Sequence, residues 1–464
     1  MKNTAFFLWS FFAPIFLIAS AAYLIKKSKP EGLRISVCIC FLLSFNFLAQ
    51  HFLSNNFISY IRSKKSRDYV CYEIAANCIV EGKNPYYSMT GYFYPPLLAQ
   101  CLAITYKLLK YTYVSLGRTF GQPGGWNYVF LLYQFVQFLA LNLAYFLNYK
   151  MLRRAGVESQ LAAILIAVIF LINIPLTTTL WLNQTNIYLL DVTMAVLLFS
   201  DSYPWLAGLA MALGIHLKLY PALLVLPLLI SKRRQTAAWA VAGTATIFLI
   251  QTNGGRNLSL WAEFLGFAKY FYASASSDNI TLYNIYHKIV YNNSLYSFVY
   301  HLFHLVRINV PVGGVASVIL VIIVLWILLR IKLREKSYKN LVASASAKEL
   351  PRLDTSRFYG HFFDTLVLEL FISPLAWNHH YILLIPVILW AFITSTDGKR
   401  LQVIMAAFLI LALPNFDFFP FSHHYLAGLV LLVYSFPPTL ESNPSIPYNR
   451  CFGLSPGRNF KGLR

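Results

Sequence analysis

Charge is scarce in this chain. Only 12% of its 464 residues are Asp, Glu, Lys or Arg, where a soluble domain carries about 25%. No polar stretch is long enough to fold a separate soluble domain. Acidic residues are scarcer still, 17 against 38 Lys and Arg, which leaves a formal charge of +21. In a soluble protein that imbalance would point to nucleic acid. Here the cations sit in short clusters between apolar runs: Lys26-Lys27-Ser28-Lys29, Lys232-Arg233-Arg234, and Lys332 through Lys339. That is the pattern of positive-inside loops, so the expected partners are anionic membrane lipids and not nucleic acid. A disulfide framework is also missing. Of the six cysteines only Cys71 and Cys78 share a polar stretch, and seven helical residues would hold them about 10 Å apart, too far to bond. No zinc spacing occurs, and neither a metal nor a cofactor is expected.

Apolar residues are what the chain has in quantity: 58% of the total, with 37 Phe and 31 Tyr and a mean hydropathy of +0.57. They fall in runs at 4–25, 35–53, 95–113, 127–149, 160–175, 187–200, 205–230, 236–252, 313–330, 361–374, 380–394, 401–414 and 423–436. The first is too long for a signal-peptide core and reads as a retained helix. The expectation is an all-α, polytopic membrane protein crossing the bilayer roughly ten to thirteen times. Residues 1–440 form one transmembrane domain, and 441–464 a basic cytoplasmic tail.

The basic clusters set the orientation. Lys232–Arg234, Arg330–Lys339 and Lys399-Arg400 read as cytoplasmic, which puts 253–312, 374–381 and 415–422 outside, and the basic 26–34 loop, cytoplasmic as well, puts 54–94 outside. These outer segments are rich in Tyr, Asn and Ser, and the two longest have room for short interfacial helices. Between 95 and 175 the alternation fails: the basic residues around Lys107 and those around Arg153 argue for the same side. One run there is re-entrant, or one basic loop breaks the rule.

Four polar clusters stand out. Asp68, Tyr72, Ala75 and Ile79 recur at helical spacing, with Asp68 in the first turn, where the helix dipole favours a carboxylate. Gly82 and Asn84-Pro85-Tyr86 close that helix in a turn, and Tyr94-Pro95-Pro96 opens the next. The bland alternative for Asp68 is a solvated helix-end charge. In Asn183-Gln184-Thr185-Asn186, Gln184 and Asn186 suit sugar hydroxyls or simply cap a helix. In His216-Leu217-Lys218-Leu219-Tyr220-Pro221, Lys218 interrupts an apolar run, where it needs a partner such as a lipid phosphate, or snorkels to the interface. In Ser373-Pro374-Leu375-Ala376-Trp377-Asn378-His379-His380-Tyr381, paired histidines stand beside Trp377 and can relay a proton or meet a phosphate. A second pair, His423-His424, reads as interfacial.

Taken in order, these pieces resemble glycosyltransferase family 87, membrane enzymes of the GT-C class that use a polyprenyl-phosphate sugar. The resemblance rests on Asp68, Gly82 with Pro85-Tyr86, Tyr94-Pro95-Pro96, Gln184 with Asn186, Lys218 with Pro221 and the basic group 232–234. It ends on Ser373-Pro374 with Trp377, His379 and His380. Asn183 stands where the family pattern has glycine, and an extra helix precedes the Asp68 segment. The resemblance implies a GT-C-type bundle in a bacterial inner membrane, with its active site facing the periplasm. It implies transfer of a hexose, mannose first, to a lipid or glycan acceptor. Asp68 would be the base, Lys218 with His379 or His380 would meet the leaving phosphate, and Gln184, Asn186, Tyr72, Tyr86, Tyr94 and Trp377 would hold the sugar. The absence of an Asp-x-Asp motif fits a lipid-linked rather than a nucleotide-linked donor. The rival readings are a transporter or flippase using Asp191, Asp364 and Glu369, and a surface-polysaccharide polymerase.

Overall fold

The computed structural model describes residues 65–86, 92–115, 124–273, 292–307 and 312–437, apart from positions 348, 374, 375, 396, 414, 415 and 417. The expected helices at 4–25 and 35–53, and the tail 441–464, lie outside the described residues. All regular structure among the described residues is helical. The helices are α1 (Arg67–Val80), α2 (Leu97–Ser115), α3 (Gly124–Arg154), α4 (Ser159–Ile172), α5 (Ile174–Trp181), α6 (Asn186–Phe199), α7 (Pro204–Leu217) and α8 (Val225–Ile230). They continue with α9 (Arg234–Gln251), α10 (Ser259–Ala273), α11 (Leu295–Leu305), α12 (Val312–Ser344), α13 (Leu350–Ile372), α14 (Ile385–Thr394), α15 (Gly398–Leu411) and α16 (His424–Ser435). Short 3₁₀ turns at Tyr220–Leu224 and Asn378–Leu384 lead into α8 and α14.

The helix ends follow the local chemistry. Ser66 caps α1, its hydroxyl accepting from the Tyr69 amide at 3.2 Å, and so satisfies one of the orphan first-turn donors. At the other end Gly82 takes φ +72°, and the Lys83 amide turns back to the Cys78 carbonyl at 2.7 Å, a helix stop that needs a residue without a Cβ. Asn173 caps α5 by accepting from Leu176 at 2.8 Å, and α4 and α5 meet there at 63°. The apolar run at 160–175 is therefore not one straight crossing.

The 205–230 run breaks at Lys218. That residue is extended (φ −150°, ψ 141°), Pro221 starts the 3₁₀ turn, and α8 brings the chain back. Consequently α7 and α9 run parallel, with Lys218 at the end of α7 and Lys232–Arg234 at the start of α9. They pack closely through small residues. A Cβ on Gly208 would lie 2.7 Å from the Ala240 amide nitrogen, and one on Gly243 would lie 2.9 Å from the Ala212 Cβ. At Gly208 the neighbouring atoms are backbone, which leaves little room to yield. Gly208→Ala is expected to destabilise the purified protein by about 1–3 kcal/mol, read as a lowered thermal midpoint; an unchanged midpoint would mean that the two helices separate without cost.

Two expectations are corrected. The basic segment Arg330–Lys339 is not a loop: α12 runs through it without a break. Arg330 and Arg334 are buried, and both donate to Asp364, at 3.0 and 2.7 Å. Arg330 also holds the end of α16 through the Phe436 carbonyl at 2.7 Å. Two cations around one carboxylate satisfy a buried charge that would otherwise cost several kcal/mol. Asp364, a carboxylate on which the transport reading relied, is thus committed to structure. Gly360 makes room for this group, since a Cβ there would stand 2.7 Å from the Arg334 Cζ. His423 and His424, expected at an interface, are buried at 3% and 7% exposure. They pack against Ser297, Phe419 and Phe416.

By length and composition one described helix, Gly125–Arg154, could cross a membrane alone, and the bent α4–α5 pair would add a second.

Candidate functional site

The turn between α5 and α6 organises the site. Asn183 has φ +58°, a left-handed conformation open to glycine and, among other residues, best to Asn and Asp. That explains why Asn can stand where the family pattern has glycine. Its side chain adds a tie, with Nδ2 donating to Ser66 Oγ at 3.1 Å, while the Tyr133 hydroxyl donates to its carbonyl at 2.7 Å. The cap of α1 is thereby fastened to the turn, and Asp68 follows two residues later.

Gln184 is the next residue. Its Nε2 donates to Asp68 Oδ2, and its Oε1 accepts from the hydroxyls of Tyr94 at 2.8 Å and Tyr72 at 3.2 Å. A carboxylate accepts only, so the amide can have just this orientation. The two phenols remain protonated donors. Burial pushes Tyr72 well up, helped by Tyr94, Tyr133 and Asp68. Burial and the Asp68 charge do the same to Tyr94.

Asn186 points the same turn at the other half of the site. Its Nδ2 donates to the His379 carbonyl at 2.9 Å, and its Oδ1 accepts from Lys218 Nζ at 2.6 Å. Lys218 is 9% exposed. It also meets His380 Nε2 at 3.1 Å and lies 5.2 Å over the Tyr94 ring and 5.9 Å over that of Tyr220. With the ammonium as donor, His380 presents the lone pair of Nε2 and carries its proton on Nδ1.

The expected residues therefore converge. Asp68, Tyr72, Tyr94, Gln184, Asn186, Lys218 and His380 meet by side chain, from segments more than 300 residues apart at the extremes. His379 enters through its carbonyl; its ring packs edge-on against His380 at 4.8 Å, and burial with the nearby Lys218 pushes its pKa well down. Trp377 also enters by backbone, its carbonyl accepting from His380 at 2.9 Å. Tyr86 stands behind the site, its hydroxyl donating to the Tyr94 carbonyl at 2.9 Å. Among the described residues no group of three or more His, Cys, Asp or Glu could hold a metal.

Several contributors were missed in the sequence. Ser66 was legible as an N-cap, the residue type helices prefer just before a first-turn acid. Tyr220 lay inside a quoted motif with nothing to single it out. Asn292 lies in an Asn-Asn-Ser sequon, yet it is fully buried. Its Oδ1 accepts from the amides of Ala376 and Ser294, both at 3.1 Å, and so clamps the segment that carries the histidines. A buried Asn is no glycan acceptor, and the same holds for Asn183 of the Asn-Gln-Thr sequon, at 2% exposure.

The sequence model of glycosyltransferase family 87 matches residues 92–350, more than half of the chain. The chain belongs to glycosyltransferase family 87. No curated protein and no solved structure matches it. The family 87 segment contains Tyr94, Gln184, Asn186 and Lys218, while Asp68, Tyr72 and the two histidines flank it and reach the same site through the contacts above. As a family 87 member the chain is a transferase that joins a sugar donor to an acceptor, of a kind found in membranes.

Proposed function

We propose that the chain is a polytopic GT-C-type enzyme that moves one hexose, mannose first among candidates, from a polyprenyl phosphate to a lipid or glycan acceptor. The reaction takes place on the extracytoplasmic face of a bacterial inner membrane. The observation that carries this reading is the Gln184-Thr185-Asn186 turn, which fastens Asp68 on one side and the Lys218–His380 pair on the other. A carboxylate held near a cationic group is what glycosyl transfer from a phosphate requires.

In the proposed step an acceptor hydroxyl gives its proton to Asp68, and its oxygen bonds to the anomeric carbon. The bond from that carbon to the phosphate oxygen breaks, and its electron pair stays on the phosphate. Lys218 supplies positive charge there, and His380 supplies the Nδ1–H after a ring turn or steadies Lys218 as found. Attack from the face opposite the phosphate inverts the anomeric centre. Tyr94, with Tyr72 and Gln184, separates the two halves and is positioned to hold sugar hydroxyls. Tyr86 supports that wall through the Tyr94 carbonyl, and Trp377 is a further candidate for holding the sugar.

Membrane embedding is supported by surface chemistry. On α12, Val318, Val321, Ile322, Leu325, Leu328 and Leu329 are exposed along one stripe, as are Ile104, Leu108 and Tyr111 on α2. Apolar stripes of that length are not left in water by a monomer. Residues 1–440 are read as one domain with roughly ten to thirteen crossings, and 441–464 as its cytoplasmic tail.

The test is a transfer assay in vesicles holding the purified protein and a radiolabelled hexosyl-phosphoryl polyprenol. Label is expected to appear in a new glycosidic product, with no turnover of a nucleotide sugar. Movement of the labelled lipid across the bilayer without bond formation would replace this reading with the flippase one. Growth of a polymer from a lipid-linked chain would replace it with the polymerase one.

A further inference from the structure

A second site lies at the opposite end of α7 from Lys218, about 20 Å away for fourteen helical residues. There the starts of α7 and α9, the last turns of α12 and the first turns of α13 enclose a cavity of about 510 Å³. We infer that this cavity binds a phosphate-bearing anion, with the head group of an anionic phospholipid as its membrane source.

The charges are arranged for it. Arg233 and Arg357 form the buried wall, at 4% and 5% side-chain exposure. The three lining carboxylates are committed to them: Asp201 and Asp354 to Arg233 at 2.8 and 3.0 Å, Glu335 to Arg357 at 2.6 Å. Lys232, Arg234 and Lys339 line the rim and are exposed, and none of them has an ion-pair partner among the described residues. The cavity thus keeps an excess of positive charge after its internal pairs are made.

Two further features point to an anion. The N-termini of α7 and α9 both open here, and neither has a side-chain cap, so two positive helix ends face the same space. Arg233 Nε is buried without a hydrogen-bond partner, although its other nitrogens are paired. Arg233 lines the cavity, and its unpaired N–H is donor capacity that its present partners leave unused. If the basic clusters mark the cytoplasmic side, the ligand comes from the inner leaflet. The site itself does not depend on the sugar-transfer reading.

The test uses the full-length purified protein in a neutral detergent, with dioctanoyl phosphatidylglycerol, dioctanoyl phosphatidylcholine and inorganic phosphate as separate probes. The triple variant Lys232→Gln, Arg234→Gln, Lys339→Gln is compared with a control triple, Lys332→Gln, Lys336→Gln, Arg352→Gln, which removes the same charge from exposed positions outside the cavity. Phosphatidylglycerol is expected to bind more tightly than phosphatidylcholine, and the cavity variant to weaken it about a hundredfold, at roughly 1 kcal/mol for each of the three cations, while the control binds as wild type. Phosphate binding lost in the same variant keeps the site and assigns it to the free ion. Binding of phosphatidylglycerol by the wild type, lost in the cavity variant, with no binding of inorganic phosphate assigns it to the head group. Equal loss in both variants, or no preference over phosphatidylcholine, overturns the inference.

Discussion

Asp68→Asn is expected to lower transfer by about 10²–10⁴-fold, the range for loss of a general base, with the protein still folded. The substitution is nearly isosteric. An amide oxygen at position 68 can still accept from Gln184 Nε2, so the tie across the site survives. What disappears is the charge and the ability to take a proton. The helix-dipole contribution of an acid in the first turn of α1 is only about 0.3–1 kcal/mol, too small to unfold the chain. Activity and thermal midpoint measured on the same preparation separate the two effects. Transfer within a few fold of wild type would remove Asp68 from the chemistry and leave it as a helix-end charge.

Lys218→Met should cost about 10²–10³-fold in kcat/KM for the lipid-phosphate donor, as loss of a charge-stabilising donor does elsewhere. The stability cost is smaller and has two opposed parts. Removing a buried ammonium relieves desolvation, but it leaves Asn186 Oδ1 and His380 Nε2 without a donor at about 1–3 kcal/mol for an unmet buried group. The donor concentration dependence is the useful readout. A lysine that only snorkels would change neither kcat nor KM, and that result would sink the phosphate role. Methionine keeps the length and flexibility of the stem, so packing is not the variable.

Much of this site was legible because its residues are unusual in an apolar chain. Asp68 stood out by dipole and spacing, Lys218 by interrupting a run, and the helix break beside it by Pro221. The 3.6-residue pattern also placed α1 closely, since capping and a glycine stop are local events. The pairings were not legible. Nothing in the spacing shows that Asp364 would gather Arg330 and Arg334 from another helix, so a basic stretch read as a loop when it is the continuation of α12. Nor could adjacent histidines be told apart. Successive residues in a 3₁₀ turn point about a third of a circle apart, so one ring meets Lys218 while the other is packed away, and which does so depends on the clamp from Asn292. That clamp lies more than 80 residues from the histidines it holds.

The close approach of α7 and α9 has a mechanical consequence. With Gly208 against the Ala240 backbone and Gly243 against the Ala212 Cβ, neither helix slides or rolls past the other without a clash. The pair behaves as a single strut with Lys218 near one tip and Arg233 near the other. A displacement at one tip is then carried along the pair toward the other.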